Sequence, residues 1–230
     1  MPERAIGVFD SGVGGLTVLK ELRRQIPGEK LIYLGDTARV PYGTKSATTV
    51  LRYAHEAARF LLEQKVKLLV VACNTASAVA LEGLAEAYQV PVVGVIEPGA
   101  RRAIEVSVNG RIGVVGTEGT IRSGAYERAL RRERADVVVH TAACPLFVPL
   151  AEEGWAGHEV ARLTAREYLA PLLAEGIDTL VLGCTHYPLI KPMLQEIVGP
   201  QVRLVDSAQE TAKAVAAKLK THRLQGQGQP

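Results

Sequence analysis

The sequence repeats one order of strand-like and helix-like segments in its two halves, and this repeat restricts the folds that the chain can adopt. Strands that alternate with helices form βαβ units and mainly parallel sheets. Two cysteines, Cys73 and Cys184, follow matched strand-like runs. Because the repeat also brings these cysteines into register, the sequence predicts two lobes of similar topology. The matched segments are 6–10 with 112–116, 31–34 with 137–140, 67–72 with the run before Cys184, and 91–96 with 202–206.

The predicted fold class is α/β, with two similar lobes that each hold a mainly parallel sheet flanked by helices. Hydrophobic periodicity predicts helices over residues 16–26 and 48–64 and another after residue 206. Residues 96–99 are expected to cross into the second lobe, and the last helix to return to the first. The first lobe is therefore predicted to comprise residues 1–97 plus 208–230, and the second lobe residues 98–207. Open α/β sheets present functional groups at the carboxyl ends of their strands, so the active site is expected in the cleft between the lobes.

Composition excludes several classes of function. The net charge of +3 is spread along 230 residues, which gives no basic patch for nucleic acid. No apolar run approaches the roughly 20 residues of a membrane span, and the start of the chain lacks the apolar core of a secretory signal. Three cysteines without Cys-x-x-Cys or zinc spacing indicate neither disulfides nor a metal site. We expect a cytoplasmic protein with reduced thiols, no membrane contact and no metal.

The strand-end cysteines are candidates for proton transfer. Each is followed by small polar residues that can begin a helix, and a helix N-terminus stabilises a thiolate. Such a thiol is expected to be partly deprotonated and able to act as base or acid. His186 lies two residues after Cys184 and could tune it. Free cysteine is more often a small buried hydrophobe, and that interpretation suits Cys144.

Two loops that follow strands are candidates for ligand binding. Residues 10–15 read Asp-Ser-Gly-Val-Gly-Gly, and glycine-rich turns before a helix bind anions. Helix capping by Asp10 and Ser11 is the simpler alternative. A dinucleotide site would use Asp36 for the ribose, but Thr17 stands where the third glycine of that motif belongs. The loop over residues 35–43 would offer Tyr42 to a ligand, or it is an ordinary surface turn.

Five motifs together resemble the cofactor-independent glutamate racemases of the aspartate/glutamate racemase superfamily. They occur in family order over nearly the whole chain, and the first and last are highly specific. The motifs are GVFDSGVGGLT (7–17), GDTARVPYG (35–43), ACNTAS (72–77), CPLFVPL (144–150) and GCTHYPL (183–189).

The resemblance implies that Cys73 and Cys184 are the proton-transfer pair, assisted by Asp10 and His186. It also implies functional acids at Asp36 and Glu152, where the residues alone predict no more than a surface acid at Glu152. The implied activity is the interconversion of L- and D-glutamate without a cofactor. The family supplies D-glutamate for peptidoglycan, acts in the cytoplasm and is usually dimeric. The implied substrate-binding residues are Asp10, Ser11, Pro41, Tyr42, Gly43, Asn74, Thr75, Thr117, Thr185 and His186.

Three alternatives remain open at this point. The same chemistry could act on another acidic amino acid such as aspartate. A nucleotide-dependent enzyme is disfavoured by the incomplete glycine motif. A non-catalytic protein could use the thiols for anion binding or as a redox switch.

Overall fold

The computed structural model describes residues 2–226, and its elements alternate between strand and helix along the chain. The strands are β1 (Ile6–Asp10), β2 (Leu31–Gly35), β3 (Leu68–Val71), β4 (Val92–Gly94), β5 (Arg111–Gly116), β6 (Val138–Ala143), β7 (Thr179–Gly183) and β8 (Arg203–Asp206). The helices are α1 (Leu16–Gln25), α2 (Ala47–Glu63), α3 (Asn74–Ala87), α4 (Ile96–Val106), α5 (Glu118–Arg122), α6 (Ala125–Glu133), α7 (Phe147–Glu152), α8 (Glu159–Ala174), α9 (Lys191–Val198) and α10 (Ser207–Thr221). Short 3-10 turns cover Tyr42–Thr44, Trp155–Gly157 and Tyr187–Ile190.

The strands form two four-stranded parallel sheets of the same topology. The order is β2-β1-β3-β4 in the first sheet and β6-β5-β7-β8 in the second. In the first sheet β1 pairs with both β2 and β3, and in the second sheet β5 pairs with both β6 and β7. The predicted α/β fold with two similar lobes is therefore confirmed, and the repeat in the sequence matches the strand order.

Several predicted boundaries differ from those in the structure. The strand predicted over residues 91–96 ends at Gly94, and residues 96–99, predicted to be a crossing segment, form the first turn of α4. Pro98 is compatible with a first turn because the amide groups there lack a partner in the helix. The strand predicted over residues 137–140 continues to Ala143. After Cys184 the chain forms a 3-10 turn, whose second residue is Pro188, before α9 begins.

The two sheets share one hydrophobic cluster. It joins Val8 of β1, Val114 of β5 and Val215 of α10, all nearly or fully buried. The opposite face of the first sheet is covered by α2 and α3, and that of the second by α8 and α9. Helix α10 packs against α1 and α4. Its place between the sheets fits a chain that returns to the first lobe, while the lobe boundaries at residues 97 and 207 stay a prediction.

Within residues 2–226, no helix is both long enough and apolar enough to cross a lipid bilayer.

Candidate active site

Cys73 lies at the junction of β3 and α3, as the sequence predicts. Its side chain is buried, and it caps α3 by accepting a hydrogen bond from the amide of Ala76 at 3.5 Å. The thiol also lies 3.7 Å from the Ser11 hydroxyl. Burial and the neighbouring Asp10 carboxylate raise the pKa of Cys73 to about 11, and the helix amide opposes only part of that rise. The sequence-based expectation of a partly deprotonated thiol is therefore wrong for this structure, because desolvation outweighs the helix N-terminus.

The Asp10 carboxylate accepts hydrogen bonds from backbone amides of the loop over residues 10–15, which the sequence offered as a candidate anion site. Its Oδ2 atom accepts hydrogen bonds from the amides of Gly12 and Gly15, both at 3.0 Å, and the side chain is fully buried. A Cβ atom at Gly15 would stand 2.4 Å from the Cβ of Asp10, so only glycine fits there. Burial raises the pKa of this carboxyl group. These two amides bind the aspartate of their own loop instead of an external anion.

Cys184 stands at the end of β7 in a matching position in the second lobe. Its buried sulfur lies 3.9 Å from Nδ1 of His186, and Nε2 of His186 lies 2.9 Å from Oε1 of Glu152. Burial raises the pKa of Cys184 well above its usual range, and the charges of Cys73, Asp10 and Glu152 add to the rise. Ser11 lies beside Cys73, and the preceding residue, Asp10, lies 3.4 Å from the hydroxyl of Thr185, the residue after Cys184, so the two thiol-bearing strand ends face each other.

The two lobes touch directly around these cysteines. A Cβ atom at Gly14 would stand 2.5 Å from Oγ1 of Thr185 and 2.6 Å from Nδ1 of His186. The Thr185 hydroxyl reaches Oδ1 of Asp10 at 3.4 Å. Thr17 also donates a hydrogen bond to the backbone carbonyl of Thr185 at 3.2 Å. Such contacts hold the ends of β1 and β7 against each other.

A second set of contacts joins the two lobes around Thr75 and Thr117. The hydroxyls of Thr75 and Thr117 lie 2.9 Å apart, although 42 residues separate them in sequence. Thr120, which sequence reasoning missed, places its buried hydroxyl 3.2 Å from that of Thr75. Gly43 lies against Thr117, where a Cβ atom would come within 2.6 Å of the threonine Cβ. These hydroxyls can act as donors or acceptors, which suits a polar ligand.

Asp36 is engaged with its own loop. Its Oδ2 atom accepts hydrogen bonds from the hydroxyl of Tyr42 at 2.5 Å and from Nε of Arg39 at 2.7 Å. Tyr42 is buried and follows the cis peptide bond of Pro41, and burial and the hydrogen bond to Asp36 raise its pKa. The neighbouring Gly43 packs against Thr117 of the second lobe, so this loop lies at the junction of the lobes with Asp36 bound to the Tyr42 hydroxyl.

Asn74, the residue after Cys73, is buried and reaches across to the second lobe. Its Oδ1 atom accepts a hydrogen bond of 2.6 Å from the hydroxyl of Tyr126 on α6. Sequence reasoning missed Tyr126, since no local motif distinguishes it from an ordinary helix residue that faces the core. Among residues 2–226, no group of three or more His, Cys, Asp and Glu side chains is arranged to hold a metal ion.

Fold and cleft together define a class of two-lobed α/β proteins in which each lobe places one buried thiol after a central parallel strand. The sequence pattern of the Asp/Glu/Hydantoin racemase family matches residues 6–215. The chain belongs to this family.

Proteins of similar sequence and structure match this chain over nearly its whole length. A glutamate racemase from Geobacter metallireducens is 64% identical over 220 residues, which are 96% of this chain and 82% of that protein. The crystal structure of a glutamate racemase isoform from Bacillus anthracis is 43% identical and superposes with a TM-score of 0.97, covering 99% of this chain and 86% of that one. A glutamate racemase from Francisella tularensis, solved in complex with D-glutamate, is 39% identical with a TM-score of 0.94, covering 100% and 86%.

Proposed function

We propose that the protein interconverts L-glutamate and D-glutamate by proton transfer at the α-carbon, with Cys73 and Cys184 as the two acid–base groups. The observation that carries the proposal is the pair of buried thiols, one from each lobe, at strand ends that contact each other through Asp10 and Thr185. Glutamate is the substrate in the names of the similar proteins described above. The chain is therefore an amino-acid racemase, an isomerase, and the proposal is that it works without a cofactor.

The proposed reaction is an inversion with two bases. One thiolate removes the α-hydrogen as a proton, so that an S–H bond forms while the Cα–H electron pair stays on the substrate. The adjoining carboxyl group delocalises this charge, and nearby hydrogen-bond donors stabilise it. The opposite thiol then donates its proton to the other face of the α-carbon. The enzyme is left with the protonation pattern that acts on the other enantiomer.

Substrate binding supplies the charge that favours a thiolate. Both thiols have raised pKa values because they are buried. The α-ammonium group of glutamate is a positive charge, and an opposite charge nearby lowers the pKa of a thiol. A thiolate thus forms when the ammonium group of the bound substrate lies in the cleft. This thiolate can then remove the hydrogen from the α-carbon.

Four further residues support the cysteines in this mechanism. Asp10 acts beside Cys73, and His186 beside Cys184. Glu152 accepts a hydrogen bond from Nε2 of His186 and thereby holds the orientation of the ring. Asp36 acts through Tyr42, whose hydroxyl it holds. The proposed roles differ: Asp10 and His186 assist proton transfer, whereas Glu152 and Asp36 position other groups.

Polar groups around the two thiols bind glutamate in this proposal. They come from the ends of β1, β3, β5 and β7 and from the loop before α2, so both lobes contribute. The proposed residues are Asp10, Ser11, Pro41, Tyr42, Gly43, Asn74, Thr75, Thr117, Thr185 and His186.

The cellular role rests on the resemblance in sequence. The proposed product, D-glutamate, would serve peptidoglycan synthesis and thereby cell shape, in the cytoplasm and from a homodimer. Analytical ultracentrifugation tests the dimer: a sedimentation mass of two chains supports it, and a mass of one chain at micromolar concentration contradicts it.

The proposed activity predicts loss of optical rotation when the enzyme is incubated with L-glutamate in deuterated water without added cofactor. The α-proton signal in the NMR spectrum should disappear as deuterium enters. Replacing either cysteine, by Cys73→Ala or Cys184→Ala, should slow racemisation at least about 10³-fold, as expected when an acid or base is removed. A pyridoxal absorbance band, or dependence on an added cofactor, would contradict the proposal.

The same assay separates the alternatives. L-Aspartate in place of L-glutamate tests the neighbouring substrate, and a higher kcat/KM for aspartate would make the protein an aspartate racemase. Added NAD that binds and is required for turnover would indicate a nucleotide-dependent enzyme. A protein that uses its thiols only as an anion ligand or redox switch would leave the rotation of both amino acids unchanged.

A further inference from the structure

Tyr126 connects the two thiol-bearing strands. Its ring lies against the end of β7, where a Cβ atom at Gly183 would stand 3.0 Å from the ring. Gly183 immediately precedes Cys184. At the other end of the side chain, the hydroxyl donates its hydrogen bond to Oδ1 of Asn74, the residue that follows Cys73. One phenol from the second lobe thus touches the chain beside each sulfur atom.

In the side-chain amide of Asn74, the oxygen has a hydrogen-bond partner and the nitrogen has none within the described residues. Its side chain is 2% exposed, with Oδ1 occupied by Tyr126. Nδ2 is buried and has no hydrogen-bond partner within the described part of the chain. Buried polar atoms are nearly always paired in folded proteins, so this free N–H donor, next to a proposed acid–base thiol, points to a ligand that accepts hydrogen bonds.

We propose that Tyr126 is a positioning residue that fixes the amide of Asn74 with Nδ2 toward a carboxylate of the substrate. The inference rests on the proposed function, because it takes glutamate as the ligand of this site. A carboxylate accepts hydrogen bonds and donates none. If the amide turned by 180°, Oδ1 would face the substrate and repel it, so a residue that sets the orientation also sets the affinity.

The chemistry of the phenol suits this role. Burial and the nearby Cys184 raise the pKa of Tyr126 far above neutrality. The hydroxyl therefore keeps its proton and can donate to Oδ1 at every pH where the enzyme works. Because Tyr126 and Asn74 belong to different lobes, the orientation of the amide depends on the contact between the lobes.

Removal of the hydroxyl alone tests the proposal. Tyr126→Phe should raise KM about tenfold for both enantiomers of glutamate, the loss expected when a hydrogen bond to a charged group is impaired. The kcat values should change less than about threefold, since a contact made equally in ground and transition state affects KM alone. Tyr88→Phe is the matched control, because its hydroxyl binds near His55, away from the cleft, and its kinetics should equal those of the wild type.

A double-mutant cycle separates positioning of Asn74 from a general structural role. If Tyr126 acts through Asn74, Tyr126→Phe should change KM less than twofold in an Asn74→Ala background. An equal tenfold rise in both backgrounds would overturn the inference, as would a normal KM for Tyr126→Phe with only a lowered melting temperature.

Asn74→Asp provides a second variant that tests the direction of the amide. It keeps an acceptor for Tyr126 and replaces Nδ2 with an oxygen, so it should raise KM more than Asn74→Ala does. A smaller rise than that of Asn74→Ala would contradict the orientation. Wild-type turnover of glutamate, measured in parallel, decides the proposed function independently of these variants.

Discussion

At the scale of single residues, burial determines the protonation of the cysteines. It raises the pKa of Cys73 to about 11 and that of Cys144 to about 12, and that of Cys184 rises further. Cys73 and Cys184 are the proposed proton-transfer pair, whereas Cys144 has no proposed role and its pKa is raised by burial alone. Its place in the core agrees with the sequence-based interpretation of a small buried hydrophobe.

The raised pKa values predict a loss of stability in alkaline solution. An unfolded thiol ionises near its ordinary pKa of 9.0, while the folded thiols stay protonated. The unfolded state therefore releases protons first, and the free energy of unfolding falls as pH rises above that value. Between pH 7.5 and 9.5 each thiol should lower the free energy of unfolding by about 1 kcal/mol at most, and the three together by about 2 kcal/mol. Urea unfolding at the two pH values measures this change.

Cys144→Ala is the control for this prediction. It leaves the proposed site intact and removes one of the three titrating thiols. Its stability should fall about 1 kcal/mol less between pH 7.5 and 9.5 than that of the wild type. An equal fall in both proteins would show that other groups cause the alkaline loss.

At the scale of elements, the sequence predicts where the functional groups lie better than what they touch. The strand ends that carry Cys73 and Cys184 follow from apolar runs and turn residues, which are local signals. The partners of Asp10, the engagement of Asp36 with Tyr42 and the contact of Tyr126 depend on residues distant along the chain or on loop conformation. Neither periodicity nor motif spacing records such contacts.

The loop between β1 and α1 provides a prediction about lobe closure. Gly14→Ala would place a Cβ atom within 2.6 Å of both Thr185 and His186, so these two side chains must move or the lobes must separate. A displacement of about 1 Å at reacting groups can cost about 10² in rate, and kcat/KM for both enantiomers should fall by that order. Gly157→Ala is the matched control, since its Cβ would meet nothing within 4 Å. Wild-type kcat/KM for Gly14→Ala would show that this contact is dispensable.

At the scale of the whole molecule, the repeat makes the two lobes alike, whereas the shared core makes each depend on the other. The repeat gives two sheets of identical order, so that each enantiomer can meet an equivalent arrangement. The shared cluster, which includes Val8, Val114 and Val215, makes the lobes depend on each other for burial. The repeat could be predicted because it is visible in the order of segments. The common core could not, since helix periodicity does not reveal which sheet an apolar face meets.

The shared core predicts that both lobes unfold in a single transition. Cys73 reports on the first lobe and Cys184 on the second, and both are buried. Pulsed alkylation across a urea gradient, read by mass spectrometry, should give the same midpoint for the two thiols. Val215→Ala removes buried apolar volume from α10 and should lower both midpoints together, by about 2 kcal/mol in unfolding free energy. Separate midpoints, or a shift confined to Cys73, would show that the lobes are independent folding units despite their common core.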